Sequence, residues 1–142
     1  VNLFQKGAIT LRSGKKSDYK IECDALTQDD WEGIAAAIME EKLLLPFSGV
    51  SGVPRGGVPL ANAMMQYVTP LADTLLICED IVTTGGSMER WHAKLAADQA
   101  VKFRWVAGVC FIARGNTPIW VTPLLKLRAD NTLFTKQSFR PE

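Results

Sequence analysis

The sequence predicts an α/β fold: a mostly parallel, twisted sheet flanked by helices, with a small hairpin at the N-terminus. Three observations carry this. Apolar segments of strand length recur at residues 47–53, 74–78, 104–112 and 119–127. The first two are each followed by a glycine-bearing loop and then by a stretch with helical spacing. Apolar strands that alternate with helices belong to a parallel sheet covered on both faces.

The hairpin comes first. Residues 9–12 and 19–24 read as short strands, with the polar turn Ser13-Gly14-Lys15-Lys16-Ser17-Asp18 between them. Thr27 follows as an N-cap, and Asp29 and Asp30 sit in the first turn, where the helix dipole favours acids. Trp31, Ile34, Ala35 and Ile38 share one face of this helix, which is expected to end near Lys42. The strand at 47–53 runs into Pro54-Arg55-Gly56-Gly57. Residues 58–67 then read as a helix with Pro59 in its tolerant first turn. The strand at 74–78 runs into a loop at 79–86 and a helix at 87–97, and strands at 104–112 and 119–127 complete the sheet. The expectation is one domain over 1–142: hairpin to about residue 26, core to about 128, and an unassigned polar tail from 129.

Composition narrows the function classes. A chain of 142 residues can bury a core without disulfides or a structural metal. The net charge of +1 gives no basic face for nonspecific nucleic-acid binding. No apolar run approaches the roughly 18 residues of a membrane span, and no signal peptide is expected. Cys23, Cys78 and Cys110 lie far apart in apolar stretches without metal-ligand spacing. They are expected as buried, reduced thiols of a cytoplasmic protein.

The chemistry concentrates after the strand at 74–78, because ligands of such sheets bind beyond the carboxyl ends of the strands. Glu79 and Asp80 are strong acceptors suited to a pair of vicinal hydroxyls. Ile81 and Val82 lead on to Thr83, Thr84 and Ser87, which offer hydroxyls, while Gly85 and Gly86 let the backbone turn and present its N–H groups. A helix begins at once, so its positive end faces the same place. Together these make a phosphate cradle beside diol acceptors, which suits a ribose 5-phosphate. The string is neither a Walker loop nor a Gly-x-Gly-x-x-Gly fingerprint. In the second loop, glycines let backbone approach an anion and Arg55 can neutralise it. The single histidine, His92, reads as a helix surface residue.

The string from 79 to 87 resembles the phosphoribosyl pyrophosphate signature of the type I phosphoribosyltransferases. The resemblance implies that fold, with Glu79 and Asp80 holding the ribose 2- and 3-hydroxyls. It implies 5-phosphate binding by Ile81, Val82, Thr83, Thr84, Gly85, Gly86 and Ser87. Val53, Pro54, Arg55, Gly56 and Gly57 correspond to the pyrophosphate loop, whose backbone in that family often has an unusual peptide geometry. The hairpin from Thr10 to Tyr19 resembles the hood of orotate phosphoribosyltransferases, with Arg12 where they carry lysine and Asp18 where they carry proline. It implies base contacts from Arg12, Lys15, Lys20 and Ile21; Lys15 and Lys16 are also cations within reach of the pyrophosphate. In Ile112-Ala113-Arg114-Gly115, Arg114 corresponds to the arginine that contacts the orotate carboxylate, and Ala113 replaces an aspartate.

The implied activity is transfer of a phosphoribosyl group from 5-phosphoribosyl 1-pyrophosphate to a nucleobase, orotate first, for pyrimidine nucleotide synthesis. Glu79, Asp80 and Arg55 are the implied catalytic set. Mg2+ would ride on the pyrophosphate with no direct protein ligand, and a cytoplasmic homodimer is expected. One departure stands out. Family members carry a long basic mobile arm between the two loops, and residues 58–78 contain no Lys, Arg or His. A sensor of phosphoribosyl pyrophosphate with weak catalysis, and a purine-type transferase, remain open beside the orotate reading.

Overall fold

The computed structural model describes residues 2–10, 16–98 and 101–127. Two strands, β1 (Phe4–Thr10) and β2 (Lys16–Ile21), pair antiparallel. Both lie nearer the N-terminus than residues 9–12 and 19–24. The reason is Gly7, a breaker in sequence, which takes φ 144° where the register slips between Lys6 and Ile9. A glycine bulge thus extends the strand instead of ending it. A 3-10 turn, Cys23–Ala25, leads to α1 (Gln28–Glu40). Thr27 caps α1 reciprocally: the Asp30 N–H donates to Thr27 Oγ1 at 3.2 Å, and the Thr27 N–H donates to Asp30 Oδ2 at 2.8 Å. Those bonds hold the Asp30 carboxyl below the usual range.

The main sheet contains β3 (Gly49–Gly52), β4 (Thr74–Val82), β5 (Trp105–Arg114) and β6 (Val121–Leu127), parallel and in that spatial order. Between them lie α2 (Val58–Met64), continued by a 3-10 turn Met65–Tyr67, and α3 (Gly86–Ala97). Alternation along β4 assigns the two faces. Leu76 and Cys78 join Trp31, Ala35 and Ile38 of α1 and Leu60 and Met64 of α2. Leu75 and Ile77 join Met88, Trp91 and Leu95 of α3. No described helix is long and apolar enough to cross a membrane.

The two crossovers have opposite hands. Both step in the same direction across parallel neighbours, β3 to β4 and β4 to β5, yet α2 and α3 lie on opposite faces. One is therefore left-handed, against a rule obeyed by ~98% of such units. The consequence is geometric: the loops leaving β3 and β4 diverge, and a crevice opens between them at the carboxyl end of the sheet.

Three strand ends differ from the sequence reading in ways that matter for the site. β4 runs to Val82 instead of stopping at Cys78, because its ladder with β5 continues through Glu79↔Cys110 and Val82↔Ala113. Residues 79–82, expected in a loop, are strand. β5 likewise includes Arg114, which was expected after the strand. β3 is shorter than 47–53. Its continuation, residues 53–57, folds back on β4: the Val53 N–H donates to Cys78 O at 2.9 Å and the Gly57 N–H to Val53 O at 2.8 Å. A Cβ on Gly57 would run into the Cys78 carbonyl oxygen and lie 2.8 Å from Val53 N.

Two outcomes follow. Gly57→Ala forces backbone apart at the end of β4 and is expected to cost ~1–3 kcal/mol in urea denaturation, as overpacking does. The three cysteines are free and buried. Burial, aided by the carboxylates of Asp80, Glu22, Asp24 and Glu79, pushes the Cys23 thiol up to about 12. Burial, with Glu79 and Asp80, does the same for Cys110, also to about 12, and burial with Glu79 raises Cys78 further. Raised values leave almost no thiolate at pH 8. A thiol reagent at that pH should label none of them in the native protein and all three in guanidinium; rapid native labelling of Cys110 would contradict the packing.

Candidate functional site

A cleft of about 1100 Å3 opens at the carboxyl end of the sheet, between it and the hairpin. Its floor is the end of β4. Glu79 is buried, 7% exposed, and its Oε1 accepts from the Asp80 N–H at 3.0 Å. Asp80 Oδ1 accepts from the Ile81 N–H at 2.6 Å. Held in a strand with their own backbone donors, these carboxylates point at the cleft with little rotational freedom.

Residues 83–87 form one wall. Gly85 adopts φ 86°, a left-handed conformation natural to glycine. A Cβ there would also lie 2.6 Å from the Pro118 ring. This turn swings the chain into α3, whose N-terminus opens on the cleft with Thr83, Thr84, Gly86 and Ser87 lining it. Thr84 Oγ1 accepts from the Gly86 N–H at 3.4 Å. The uncapped first-turn N–H groups, the hydroxyls and the helix dipole together favour an anion.

The facing wall is the loop after β3, of which Pro54, Arg55 and Gly56 line the cleft. The Pro54–Arg55 peptide is cis, an unusual geometry of the kind expected for this loop. Val53 and Gly57 stand behind the lining, where the Val53 N–H attaches the loop to the Cys78 carbonyl and the Gly57 N–H donates to Val53 O. Gly56 lies against Asp80, so closely that a Cβ would be 2.5 Å from Oδ2. The two loops therefore meet at that carboxylate.

The hairpin side holds the largest surprise. Arg114 reads in sequence as a solvent-facing arginine unless the family resemblance is invoked; it is 4% exposed. One Nη donates to Ser17 Oγ at 2.6 Å, and the guanidinium lies 4.0 Å from the centre of the Tyr19 ring. It thereby joins β2 to the sheet, while its Nε–H has no partner and the side chain borders the cleft. Ile21 and Lys20 also line the cleft. Lys20 Nζ is paired with Glu22 Oε2 at 3.0 Å, and that ammonium holds the Glu22 carboxyl below its usual range. Arg12 and Lys15 lie outside the described residues.

Several lining residues were not anticipated: Thr10, Glu22, Asp24 and Arg90 among them. For Arg90 a signal existed, since it lies three residues beyond Ser87 on a helix and so on the same face. Arg90 Nη2 donates to Ser87 Oγ at 3.4 Å. His92, placed on the helix surface by sequence, packs against Trp120 with its ring tilted by 55° and 4.8 Å between ring centres. Residues 58–78 are used up by α2, a 3-10 turn, a short connection and most of β4, so no arm emerges between the loops. Among the described residues no group of three or more His, Cys, Asp or Glu is placed to hold a metal ion.

No family model matches the chain, and no curated protein matches it in sequence. Solved structures match it in fold. Orotate phosphoribosyltransferase from Aeropyrum pernix superimposes with TM-score 0.69 at 17% identity over 88% of each chain. The Leishmania donovani UMP synthase gives 0.68 at 17% identity, over 88% of this chain and 34% of that one. The Mycobacterium tuberculosis orotate phosphoribosyltransferase, solved in complex with 5-phospho-alpha-D-ribosyl 1-diphosphate, gives 0.62 at 22% identity over 87% of this chain and 89% of that one. At such identities the likeness carries the architecture alone: a parallel sheet flanked by helices plus a small antiparallel hairpin, which is the phosphoribosyltransferase fold.

Proposed function

We propose that the chain binds 5-phosphoribosyl 1-pyrophosphate and transfers its phosphoribosyl group to an anionic pyrimidine base, orotate. The observation that supports this best is the Arg114 Nε–H. It is a donor on a buried cation, without a partner among the described residues, and the Arg114 side chain borders the same cleft as the Glu79–Asp80 pair and the 83–87 cradle. An unmade bond to a buried charged group is costly, and a planar carboxylate would complete it.

In the proposed reaction a ring nitrogen of the base forms a bond to ribose C1. The C1–oxygen bond breaks, and its electron pair leaves with the pyrophosphate. Glu79 and Asp80 fix the ribose through its vicinal hydroxyls, and residues 83–87 hold the 5-phosphate. Arg55, exposed on the opposite wall, faces the leaving group. The protein's contribution is positioning and charge stabilisation. The donor set fits no protein-held metal. A magnesium ion would instead be carried in on the pyrophosphate and, when bound, would add positive charge at the leaving oxygens. The proton on that ring nitrogen is lost to water or to the departing pyrophosphate as the bond forms, and no side chain is assigned as its acceptor.

The absence of Lys, Arg and His from residues 58–78 favours a second reading, in which the chain binds phosphoribosyl pyrophosphate and turns it over poorly, as a regulatory subunit would. Each missing charge contact can cost ~10²–10³ in rate. A single domain acting as a homodimer belongs to the first reading. Of the apolar segment 43–46, Leu44 packs on the core while Leu45 is 82% exposed and open to a second copy.

The deciding measurement is pyrophosphate release from phosphoribosyl pyrophosphate with orotate, uracil and a purine panel. Release with orotate alone supports the transferase; tight binding with no release under any base supports the regulatory reading. Asp80→Asn should weaken phosphoribosyl pyrophosphate binding about tenfold or more, the worth of a charge-assisted hydrogen bond; an unchanged affinity would remove the ribose assignment. Arg114→Lys keeps a cation against Tyr19 and loses the planar fork. It should raise KM for orotate by about tenfold with phosphoribosyl pyrophosphate affinity within about twofold.

A further inference from the structure

We infer that Arg90, one helical turn beyond the 79–87 string, is the cation of the phosphate cradle and gives it its preference for a dianionic phosphate monoester. This rests on the proposed function and names a residue that the string itself does not contain.

The geometry is specific. The guanidinium of Arg90 lies across the backbone of Gly86. Its Nη2 is 3.4 Å from Ser87 Oγ, and its Nη1 is 3.0 Å from where a Gly86 Cβ would stand, with Thr84 Oγ1 3.6 Å from the same point. The cation thus donates to the Ser87 hydroxyl, lies beside Gly86 and borders the cleft. No carboxylate among the described residues forms a salt bridge with it. Its neighbour Glu89 accepts from Trp120 Nε1 at 2.8 Å. The other cleft cations are engaged or distant in role: Lys20 with Glu22, Arg114 with Ser17 and Tyr19, and Arg55 on the opposite loop. A helix N-terminus offers roughly half a positive charge, against nearly two negative charges on a phosphate monoester at neutral pH. Arg90 adds one full positive charge toward the difference.

The inference also accounts for Gly86. Its φ is not in the left-handed region, so backbone conformation does not demand glycine there, unlike at Gly85. What a side chain at Gly86 would meet first is the Arg90 guanidinium. The glycine leaves room for the cation.

The test uses the full chain and three probes, ribose 5-phosphate, inorganic phosphate and inorganic pyrophosphate, by calorimetry. Arg90→Gln should weaken ribose 5-phosphate and phosphate about tenfold to a hundredfold, with pyrophosphate within about twofold. In the unaltered protein, ribose 5-phosphate affinity should rise between pH 5.5 and 7.5 as the phosphate loses its second proton near pH ~6, and Arg90→Gln should flatten that rise. Gly86→Ala should weaken ribose 5-phosphate by displacing the guanidinium, and the double variant should be no weaker than Arg90→Gln alone. Arg90 is exposed, so unfolding midpoints should not move. If the unaltered protein binds ribose 5-phosphate and Arg90→Gln binds it equally, the assignment of Arg90 fails and the proposed function stands. Equal losses for pyrophosphate and ribose 5-phosphate overturn the assignment to the phosphate end. If the unaltered protein binds neither ribose 5-phosphate nor phosphoribosyl pyrophosphate, the proposed function fails and takes this inference with it.

Discussion

The Cys78 carbonyl is the point where the two walls of the cleft are tied together. It accepts from the Val53 N–H at 2.9 Å, and Gly57 sits against it so tightly that no side chain fits. A single backbone hydrogen bond contributes only ~0.5–1.5 kcal/mol net, so the importance of this contact is positional. It pins the loop leaving β3 to the last apolar residue of β4. From there Gly56 must lie beside Asp80, and Arg55 must enter the cleft. Four further residues of β4 continue past the contact, so the ladder with β5, not a loop, holds Glu79 and Asp80. The carboxylates and the facing cation are set by the same sheet.

The hairpin is attached by a different kind of interaction. Arg114 is a buried cation whose contacts are a hydroxyl, a carbonyl and an aromatic face: Ser17 Oγ, Tyr19 O at 3.4 Å and the Tyr19 ring. A desolvated cation–π contact contributes ~2 kcal/mol, while burying an uncompensated charge costs more than a neutral group. The balance leaves the guanidinium short of one partner, at Nε. Arg114 thus fixes the hairpin, borders the cleft and keeps one donor without a partner among the described residues. In the proposed reaction the anionic base would finish the solvation of Arg114 and so stabilise the hairpin that encloses it.

How much of this was legible in the sequence depends on whether the signal was local. The cradle at 83–87 was legible because each step is local: a glycine for a left-handed turn, hydroxyls beside it and a helix starting at once. The continuous apolar run of Leu75, Leu76, Ile77 and Cys78 likewise gave a buried strand. Its end was misread because Glu79 and Asp80 are polar and Ile81 precedes threonines, whereas the strand's length is set by its partner β5. Arg114 fell on the same error, since an arginine at the end of an apolar run reads as the start of a loop. Its burial depends on Ser17 and Tyr19, which are almost a hundred positions away and came into view only through the resemblance of the hairpin. Arg90 was missed for want of a helical projection from Ser87.

The opposed hands of the two crossovers connect the fold to the missing arm. Placing α2 and α3 on opposite faces of adjacent strands is what opens the crevice, since same-side helices would lead both loops away together. Here β3 passes to its immediate neighbour β4 through residues 53–73 alone, and that short path accepts the disfavoured hand. No length is left over to fold across the cleft, and beyond Arg55 no basic side chain lies on the path. An uncovered leaving group stays hydrated, and a cation acting through water at ε ≈ 80 contributes several-fold less than one in a partly excluded site. In the proposed function, ground-state recognition of ribose and phosphate would lose little from this, because those groups would meet strand carboxylates, a helix terminus and Arg90 directly. The stabilisation of departing pyrophosphate loses most. The architecture therefore separates affinity from rate, and the chemistry proposed for it depends on how far Arg55 and a substrate-borne magnesium ion can act in open solvent.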